Sequence, residues 1–320
     1  MIRYPDLQKR SGVLFRNLTG MSHHAFEALL TSYEAARHAA RATSARTRDG
    51  RPRRRAPGGG RHHALAPCDR LLMALFWLRA YPTYELLGFY FGLDKANAHR
   101  NTADVLAVLE ALGDFPFDRP DHDPGRTPLR SPQAVMDAFP AVRLVVDTKE
   151  QRIRRPRGDH AAQKPYYSMK KKAHTLKTQL AVRPDGRIES VGLSVPGGSK
   201  HDKTLLLESG LLKRLAPGEA AMADKAYHNI REKDPQAPLV TPRPAKRNHP
   251  LTDCEKMANR FIARYRIVVE HTIAQLNRYT VLRQVYRGRR SVHTRVVRVV
   301  AMVVNRRIES VPLKVYGAAA

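Results

Sequence analysis

In four stretches of the first 112 residues, apolar residues recur at every third or fourth position, which is the spacing of amphipathic helices. The first such pattern spans residues 22–35, and Ser22 supplies a hydroxyl of the kind that caps helix starts. We therefore predict a helix there with one buried face. The residues of that face are Phe26, Leu29, Leu30 and Tyr33.

Three further helical patterns lie between residues 69 and 112. Asp69 can cap the first, the second spans residues 84–91, and Gly92 suits the left-handed backbone that ends many helices. Asp94 can then cap the third, which continues to Leu112. The inward residues of the first pattern are Leu71, Leu72, Leu75 and Phe76.

The last two of these patterns form a candidate helix-turn-helix, because a short glycine-containing turn joins them and polar residues begin the second helix. In such a motif the start of the second helix enters the major groove of DNA, where amide and guanidinium groups read base edges. Small helical bundles that do not bind DNA also show this pattern. The candidate DNA contacts are Lys95, Asn97, His99 and Arg100.

The second half of the chain changes to short apolar runs with the alternation of β-strands. Helical patterns at residues 202–212 and 253–277 interrupt these runs, and the mixture predicts an α/β sheet domain. A Pro-Asp-Gly turn at residues 184–186 predicts a hairpin. The strand candidates are residues 143–146, 151–155, both arms of the hairpin over 175–195, 220–223, and 239–241.

Two acids follow short apolar strands, and a third lies in the long helix. Asp147 ends LVVD, Asp224 ends AMAD, and Glu270 follows Arg266 by one helical turn. Carboxylates at strand ends are held at one edge of a sheet, and a crossing helix can add another. Such oxygen ligands suit Mg²⁺, which supports phosphoryl transfer without a protein nucleophile. Alternatively, the aspartates are turn acids and Glu270 only pairs with Arg266.

The net charge indicates an anionic partner, because 57 Lys and Arg residues against 29 acids give a formal charge of +28. Nucleic acid is the common partner of such a surface, although the basic residues could also remain solvated. Nine arginines fall between residues 37 and 61, which we interpret as a flexible basic linker, and nine more between residues 278 and 307. Lys170, Lys171 and Lys172 follow two tyrosines and could hold DNA or simply guard a strand edge.

Targeting signals are not evident in the sequence. Two lone cysteines, Cys68 and Cys254, form no Cys-x-x-Cys pair, which excludes zinc ribbons and suits a reducing compartment. The first residues lack the apolar stretch of a signal peptide, and the chain has no apolar run of about 18 residues. We expect a cytoplasmic protein of the bacterial nucleoid, with no membrane contact.

The combination of these motifs resembles the bacterial insertion-sequence transposases of the DDE type, close to the PIF/Harbinger group. The resemblance is carried by the helical head LLMALFWLRAYPTYELLGFYFGLDKANAHR and then, in order, by PYYSMKKKAHTLKTQLAVRPDGRIESVGLSVPGGSKHDKTLL, ADKAY and RYRIVVEHTIAQLNR. It covers most of the chain. It implies an α/β fold with a ribonuclease-H-like catalytic domain and an N-terminal all-α helix-turn-helix domain.

The resemblance also implies the site. Asp147, Asp224 and Glu270 would be the catalytic acids and would hold two Mg²⁺ ions, for which Mn²⁺ can substitute. His201, Asp202 and Arg266 match supporting motifs, and Asp202 is an alternative second metal ligand. Two departures from the family pattern are Thr148 where a glycine usually follows the first acid, and Asn277 where a lysine is frequent. Arg278 beside Asn277 is a further candidate DNA contact.

The predicted domains are an N-terminal helical segment (residues 1–35), a basic linker (36–64), a helix-turn-helix domain (65–115), a connection (116–140), and a catalytic domain with a basic C-terminal helix (141–310). The predicted function is binding of terminal inverted repeats, metal-dependent cleavage of DNA, and strand transfer into target DNA. Because two DNA ends must be paired, we expect self-association on DNA. The alternatives are a catalytically inactive transposase-derived DNA-binding protein and a basic RNA-binding protein.

Overall fold

The computed structural model describes residues 1–43, 64–113, 142–234, 236–245 and 250–310. Most of the predicted linker and all of the predicted connection lie outside these residues. The described chain divides into two compact units. A helical unit contains residues from 1–114, 278–281 and 295–310, and a sheet unit contains residues from 115–277 and 282–294.

The helical unit is built from amphipathic helices whose apolar faces form one core. Phe15, Phe26, Leu71, Leu75 and Phe91 are fully buried in it. Ser22 caps the third helix as predicted, because its hydroxyl accepts the Ala25 N–H at 3.2 Å. The helices up to residue 112 are α1 (Tyr4–Gln8), α2 (Gly12–Thr19), α3 (His23–Thr43), α4 (Pro67–Ala80), α5 (Tyr84–Phe91) and α6 (Lys95–Leu112).

Asp69 does not cap α4, contrary to the prediction. The helix begins earlier, with Ala66 at the cap position and Pro67 in the first turn, where proline needs no N–H partner. Asp69 is buried within that first turn and accepts the backbone N–H of Tyr4 at 2.7 Å. Its carboxylate also lies 3.8 Å from Arg3, so it fixes the N-terminal segment to α4.

The turn between α5 and α6 is the predicted helix-turn-helix. Thr83 caps α5, Gly92 ends it in the left-handed region with φ 71°, and Asp94 caps α6 by accepting the Asn97 N–H at 2.8 Å. The polypeptide then doubles back so closely that the Leu93 N–H donates to the Gly88 carbonyl at 2.9 Å. The absence of a side chain at Gly88 makes this approach possible.

Gly88→Ala is expected to destabilise the helical unit by about 1–3 kcal/mol, because the new Cβ would lie 2.4 Å from the Leu93 carbonyl oxygen. Thermal unfolding of the full chain measures the loss, and binding to duplex DNA measures its effect on the turn. Gly12→Ala is the matched control, since nothing lies within 4 Å of its added Cβ in α2 of the same unit. Equal midpoints for the two variants would contradict the packing argument.

The structure differs from the predicted domain boundaries in two places. Helix α3 continues to Thr43, through residues that the sequence analysis assigned to the linker. The C-terminal helix, α12 (His293–Ser310), joins the helical unit from Arg295 onward and not the catalytic domain. Its buried valine stripe and two arginines explain this, since Arg295 and Arg298 pair with Glu110 of α6. The stripe contains Val296, Val297, Val299, Val300, Val303 and Val304.

The sheet unit contains seven strands in its described residues, and its path runs in the order β2-β3-β1-β6-β7. β1 pairs antiparallel with β3 and parallel with β6, so the sheet is mixed. β4 and β5 both pair with β3. The strands are β1 (Val142–Arg152), β2 (Tyr167–Ser168), β3 (Ala173–Val182), β4 (Ile188–Val191), β5 (Val195–Pro196), β6 (Ala220–Met222) and β7 (Leu239–Val240).

Short helices and one long helix accompany this sheet. A core of Leu144, Val146, Leu206, Tyr227 and Leu239 joins the sheet to the helices that follow β5 and β6. The α/β class predicted for this part of the chain is confirmed. The helices are α7 (His160–Gln163), α8 (Asp202–Glu208), α9 (His228–Lys233), α10 (Asp253–Asn277) and α11 (Thr280–Arg283). Helix α11 begins in the helical unit and ends in the sheet unit.

Strand β1 is longer than predicted. The sequence placed a strand end at Asp147 and a second strand at residues 151–155, but a single strand continues past Asp147 and ends at Arg152. Antiparallel pairing with β3 continues to Arg152 opposite Thr175, which keeps the backbone extended past the apolar run. Asp147 therefore lies in the middle of β1.

Lys149 and Gln151, in the polar second half of β1, are buried because α11 and the loop after it cover them. Lys149 donates to the Leu282 carbonyl at 2.9 Å, and Gln151 donates to the Gln284 carbonyl at 2.8 Å. The His293 Nε2–H donates to the Gln151 side-chain oxygen at 2.9 Å, and its Nδ1 shares a hydrogen bond with the Ser194 hydroxyl at 2.7 Å. Burial and the Lys149 charge lower the pKa of the imidazole to about 3, so the ring is neutral in the folded protein and its Nδ1 accepts.

His293 is expected to make the fold acid-sensitive. Between about pH 6.5 and 3 the unfolded chain binds a proton here that the folded chain does not, so stability falls as the pH decreases through that window. Between pH 7 and pH 5, the free energy of unfolding of the wild type should fall by about 2 kcal/mol more than that of His293→Gln. Urea unfolding at both pH values measures this difference, and the exposed His160→Gln should retain the wild-type dependence. A His293→Gln curve parallel to the wild type would refute the assignment.

Candidate active site

The parallel register of two strands brings the two predicted aspartates to one place. Val145 of β1 lies opposite Met222 of β6, where β6 ends. Asp147 and Asp224 each follow these paired residues by two positions, so both lie at the same level, just beyond the point where the pairing of β1 with β6 ends. The side chain of Asp224 also accepts the Lys225 N–H and begins a short 3-10 turn.

One guanidinium faces both carboxylates. Arg266 of α10 lies 3.5 Å from the Asp224 carboxylate and 4.0 Å from that of Asp147. The Arg266 side chain is only 15% exposed, so its charge is little screened by water. Arg266 was predicted as a supporting residue from the family motif, and the structure places it between the two acids.

Burial raises the pKa of Asp147 above its usual value. The Thr148 N–H, which donates to Asp147 at 2.7 Å, and the Arg266 charge oppose this effect, while Asp224 and Asp202 reinforce it. Tyr227 is buried beside these acids, and the pKa of its phenol is raised by burial and then by Asp202 and Asp147. A half-buried group of carboxylates with these properties attracts cations.

Asp202 lies close enough to influence Asp147, but its carboxylate has its own partner. It pairs at 2.8 Å with Lys177 of β3, which also lies 3.7 Å from Glu150 and donates to the Lys200 carbonyl at 3.1 Å. His201, before it, is exposed and makes no side-chain cap to α8. Lys177 was not predicted from the sequence, although a lysine within the apolar alternation of a central strand is a signal for a buried ion pair.

Glu270 is exposed on α10, one turn after Arg266. Within the described residues, no group of three or more His, Cys, Asp or Glu side chains is arranged to hold a metal ion. The structure thus brings together Asp147, Asp224 and Arg266, and does not gather Glu270 with them. The carboxylate oxygens of Asp147 and Asp224, which both face the Arg266 guanidinium, are the kind of ligand that a divalent metal ion requires.

The predicted DNA-reading residues lie at the start of α6. Lys95, Asn97, His99 and Arg100 are within its first two turns, and most of their side chains are exposed. Asn97 donates to the Asp94 side chain at 2.5 Å, and Arg100 donates to the Ala96 carbonyl at 3.3 Å. A surface cavity opens here. It is lined by Tyr84, Asp94, Lys95, Ala96, His99 and Arg100.

The other predicted DNA contacts are in different places. Lys170, Lys171 and Lys172 form the exposed turn between β2 and β3, where Lys172 adopts a left-handed backbone with φ 49°. Arg278 follows α10 and is exposed, while its carbonyl accepts from Arg79 within the helical unit. Arg79 also lies over the ring of Tyr279, 5.5 Å from its centroid.

The fold agrees with comparisons to known proteins. Residues 146–305 match the family described as "DDE superfamily endonuclease", and residues 63–114 match "Helix-turn-helix of DDE superfamily endonuclease". The chain therefore belongs to the DDE superfamily endonucleases and carries their N-terminal helix-turn-helix. The predicted ribonuclease-H-like class is consistent with this assignment and with the mixed central sheet.

A named relative is similar over most of its length. The chain is 29% identical over 232 residues to the "Probable transposase for insertion sequence element IS702" of Microchaete diplosiphon, which covers 72% of this chain and 76% of the relative. No solved structure matches the chain. Across the described residues, no helix has both the length and the apolar character needed to traverse a lipid bilayer.

Proposed function

We propose that the protein is a transposase that binds the terminal inverted repeats of its element, cleaves DNA in a metal-dependent reaction, and joins the freed 3′ ends to target DNA. The observation that carries the proposal is the pair of aspartates from adjacent parallel strands, facing one cation on α10. The family membership and the transposase relative support the same function.

Asp147 and Asp224, with Glu270 as a third ligand, would hold the divalent ions, two per site and generally Mg²⁺. When bound, such ions activate the attacking hydroxyl and stabilise the leaving oxygen of an in-line phosphoryl displacement. The protein contributes position and charge. Arg266 holds the two carboxylates on the α10 side, and the Lys177–Asp202 pair fixes the start of α8 beside them.

The helix-turn-helix would supply sequence recognition. Asn97 and Arg100 lie at the start of α6, where side chains of this motif reach base edges in the major groove. Glu85 lies 3.7 Å from Lys95, so DNA phosphates would compete with a weak surface ion pair at this position. Binding should therefore weaken steeply as the salt concentration rises.

The proposal extends to assembly and location. Pairing two element ends requires two active sites, so we propose self-association on DNA. Binding to the chromosome and to transposon ends would place the protein at the nucleoid. The PIF/Harbinger group remains our proposal for the subtype, because the matched family is the wider superfamily.

The test uses a plasmid carrying the DNA that flanks the gene on both sides. Purified protein should nick this plasmid at the element ends in Mg²⁺ or Mn²⁺ and not in EDTA, and should insert pre-cut ends into a second plasmid. Footprints without cleavage under any divalent ion would instead favour the catalytically inactive DNA-binding protein. Preference for structured RNA over duplex DNA would favour the RNA-binding alternative.

A further inference from the structure

A second basic surface lies on the sheet unit beyond the end of β1. It comes from residues 152–172 and 287–290, which carry eight and three Lys or Arg residues respectively. All of these side chains belong to exposed residues, and we name this set the distal basic surface. Its members are Arg152, Arg154, Arg155, Arg157, Lys164, Lys170, Lys171, Lys172, Arg287, Arg289 and Arg290.

Specific contacts hold the two segments together, although more than a hundred residues of chain separate them. The Tyr286 N–H donates to the Arg152 carbonyl at 2.8 Å, and Tyr286 forms a parallel bridge with Ile153. The Arg290 guanidinium lies over the ring of Tyr166, 4.6 Å from its centroid. Beneath them, the buried hydrogen bonds of Lys149, Gln151 and His293 fix the covering loop on β1. The surface therefore forms only in the folded protein, because its basic residues come from two segments that are distant in sequence.

The positive charge of the surface has almost no acid to balance it. Asp159 is the one acid in the contributing sequence, and its side chain caps α7 by accepting the Ala162 N–H at 3.0 Å. Across the described ranges, Arg154, Arg157 and Arg289 form no ion pair with a carboxylate. Elsewhere on the same sheet, by contrast, Arg143 and Lys177 each pair with two acids.

We propose that the distal basic surface binds the phosphate backbone of duplex DNA. Arg152 follows Asp147 by five positions along one strand, which corresponds to about 17 Å at roughly 3.3 Å per residue. Duplex DNA advances about 3.4 Å per base pair, so the surface meets phosphates about five base pairs from the carboxylate pair. This placement relative to the cleaved bond rests on the proposed function, whereas the binding itself does not.

Duplex DNA fits the surface better than single-stranded nucleic acid. Single strands are bound on exposed aromatic rings that stack against bases. Arg290 covers one face of the Tyr166 ring, and the partly exposed Tyr167 makes an edge-to-face contact with His174 at 5.6 Å between ring centroids. The surface thus offers cationic groups for phosphates and few free ring faces.

The test measures binding of the full-length protein to a 40-base-pair duplex of random sequence in EDTA, across a series of salt concentrations. Each phosphate contact contributes about 0.9 to the slope of log K against log salt concentration. The double variant Arg154→Ala/Arg157→Ala should therefore reduce the slope by about 1.8. The matched control is Lys213→Ala/Arg214→Ala, which removes the same charge from exposed residues of the sheet unit and should leave the slope near the wild-type value.

Equal slopes for the two double variants would overturn the proposal, because net charge alone would then explain binding. A loss confined to a hairpin RNA probe, with duplex DNA binding unchanged, would also overturn it. Thermal midpoints matching the wild type confirm that the variants fold. Since no cleavage occurs in EDTA, failure of this surface and failure of the proposed catalytic function give separate results.

Discussion

Asp224→Asn is expected to reduce metal-dependent DNA cleavage and strand transfer by at least about 10³-fold, equivalent to roughly 4 kcal/mol of transition-state stabilisation. The substitution removes one negative charge and keeps the shape of the side chain. The amide oxygen can still accept the Lys225 N–H that begins the 3-10 turn, so the local backbone has no reason to change. The loss should therefore fall on chemistry and not on folding.

The measurement is strand transfer by pre-cut ends in Mg²⁺ and in Mn²⁺, with duplex binding recorded in parallel. Asp147→Asn should behave in the same way, because its carboxylate faces the same Arg266 cation. Asp253→Asn is the control. It neutralises an exposed aspartate in the first turn of α10, away from this pair in sequence, and should retain activity. Wild-type activity in Asp224→Asn would refute the carboxylate assignment.

Glu270→Gln is expected to produce the second large effect, a loss of cleavage of about 10²–10³-fold with an increased requirement for divalent ion. The residue is exposed, so its replacement should change the free energy of unfolding by no more than about 0.5 kcal/mol. A large catalytic loss without a stability loss would identify a ligand that joins the site only when metal and DNA are present.

The same assay separates Glu270 from its rival. Asp202 is held by the buried Lys177, so Asp202→Asn should lower stability as well as activity. Full activity in Glu270→Gln, together with complete loss in Asp202→Asn, would transfer the ligand role to Asp202. Measuring activity against metal concentration for both variants shows which one weakens ion binding.

The starts of α3 and α6 and the end of α5 were predictable because their signals are local. The caps at Ser22 and Asp94, and the glycine at position 92, fix these helix ends through hydrogen bonds within three or four residues. Asp69 was misassigned for a non-local reason, since its hydrogen bond partner is Tyr4, 65 positions away.

The site was only partly predictable. The candidate acids and Arg266 were predicted from the motifs, but strand register sets the level at which Asp147 and Asp224 lie together, and apolar spacing does not give that register. The length of β1, the burial of Lys177 and the hydrogen bonds of His293 depend on segments that are distant in sequence, including β3 and the loop after α11. The local spacing of apolar residues does not show which distant segments will pack over a strand.

Because α12 belongs to the helical unit, this unit cannot complete its fold until the last part of the chain has been synthesised. About 180 residues separate the end of the first segment, near residue 114, from Arg295, where the last segment begins. At typical synthesis rates of roughly 5–20 residues per second, the ribosome needs about 10–40 s to bridge that interval. During that interval the helical unit lacks the buried valines of α12. Truncated chains that are released early would therefore lack part of the core of the unit that contains the helix-turn-helix.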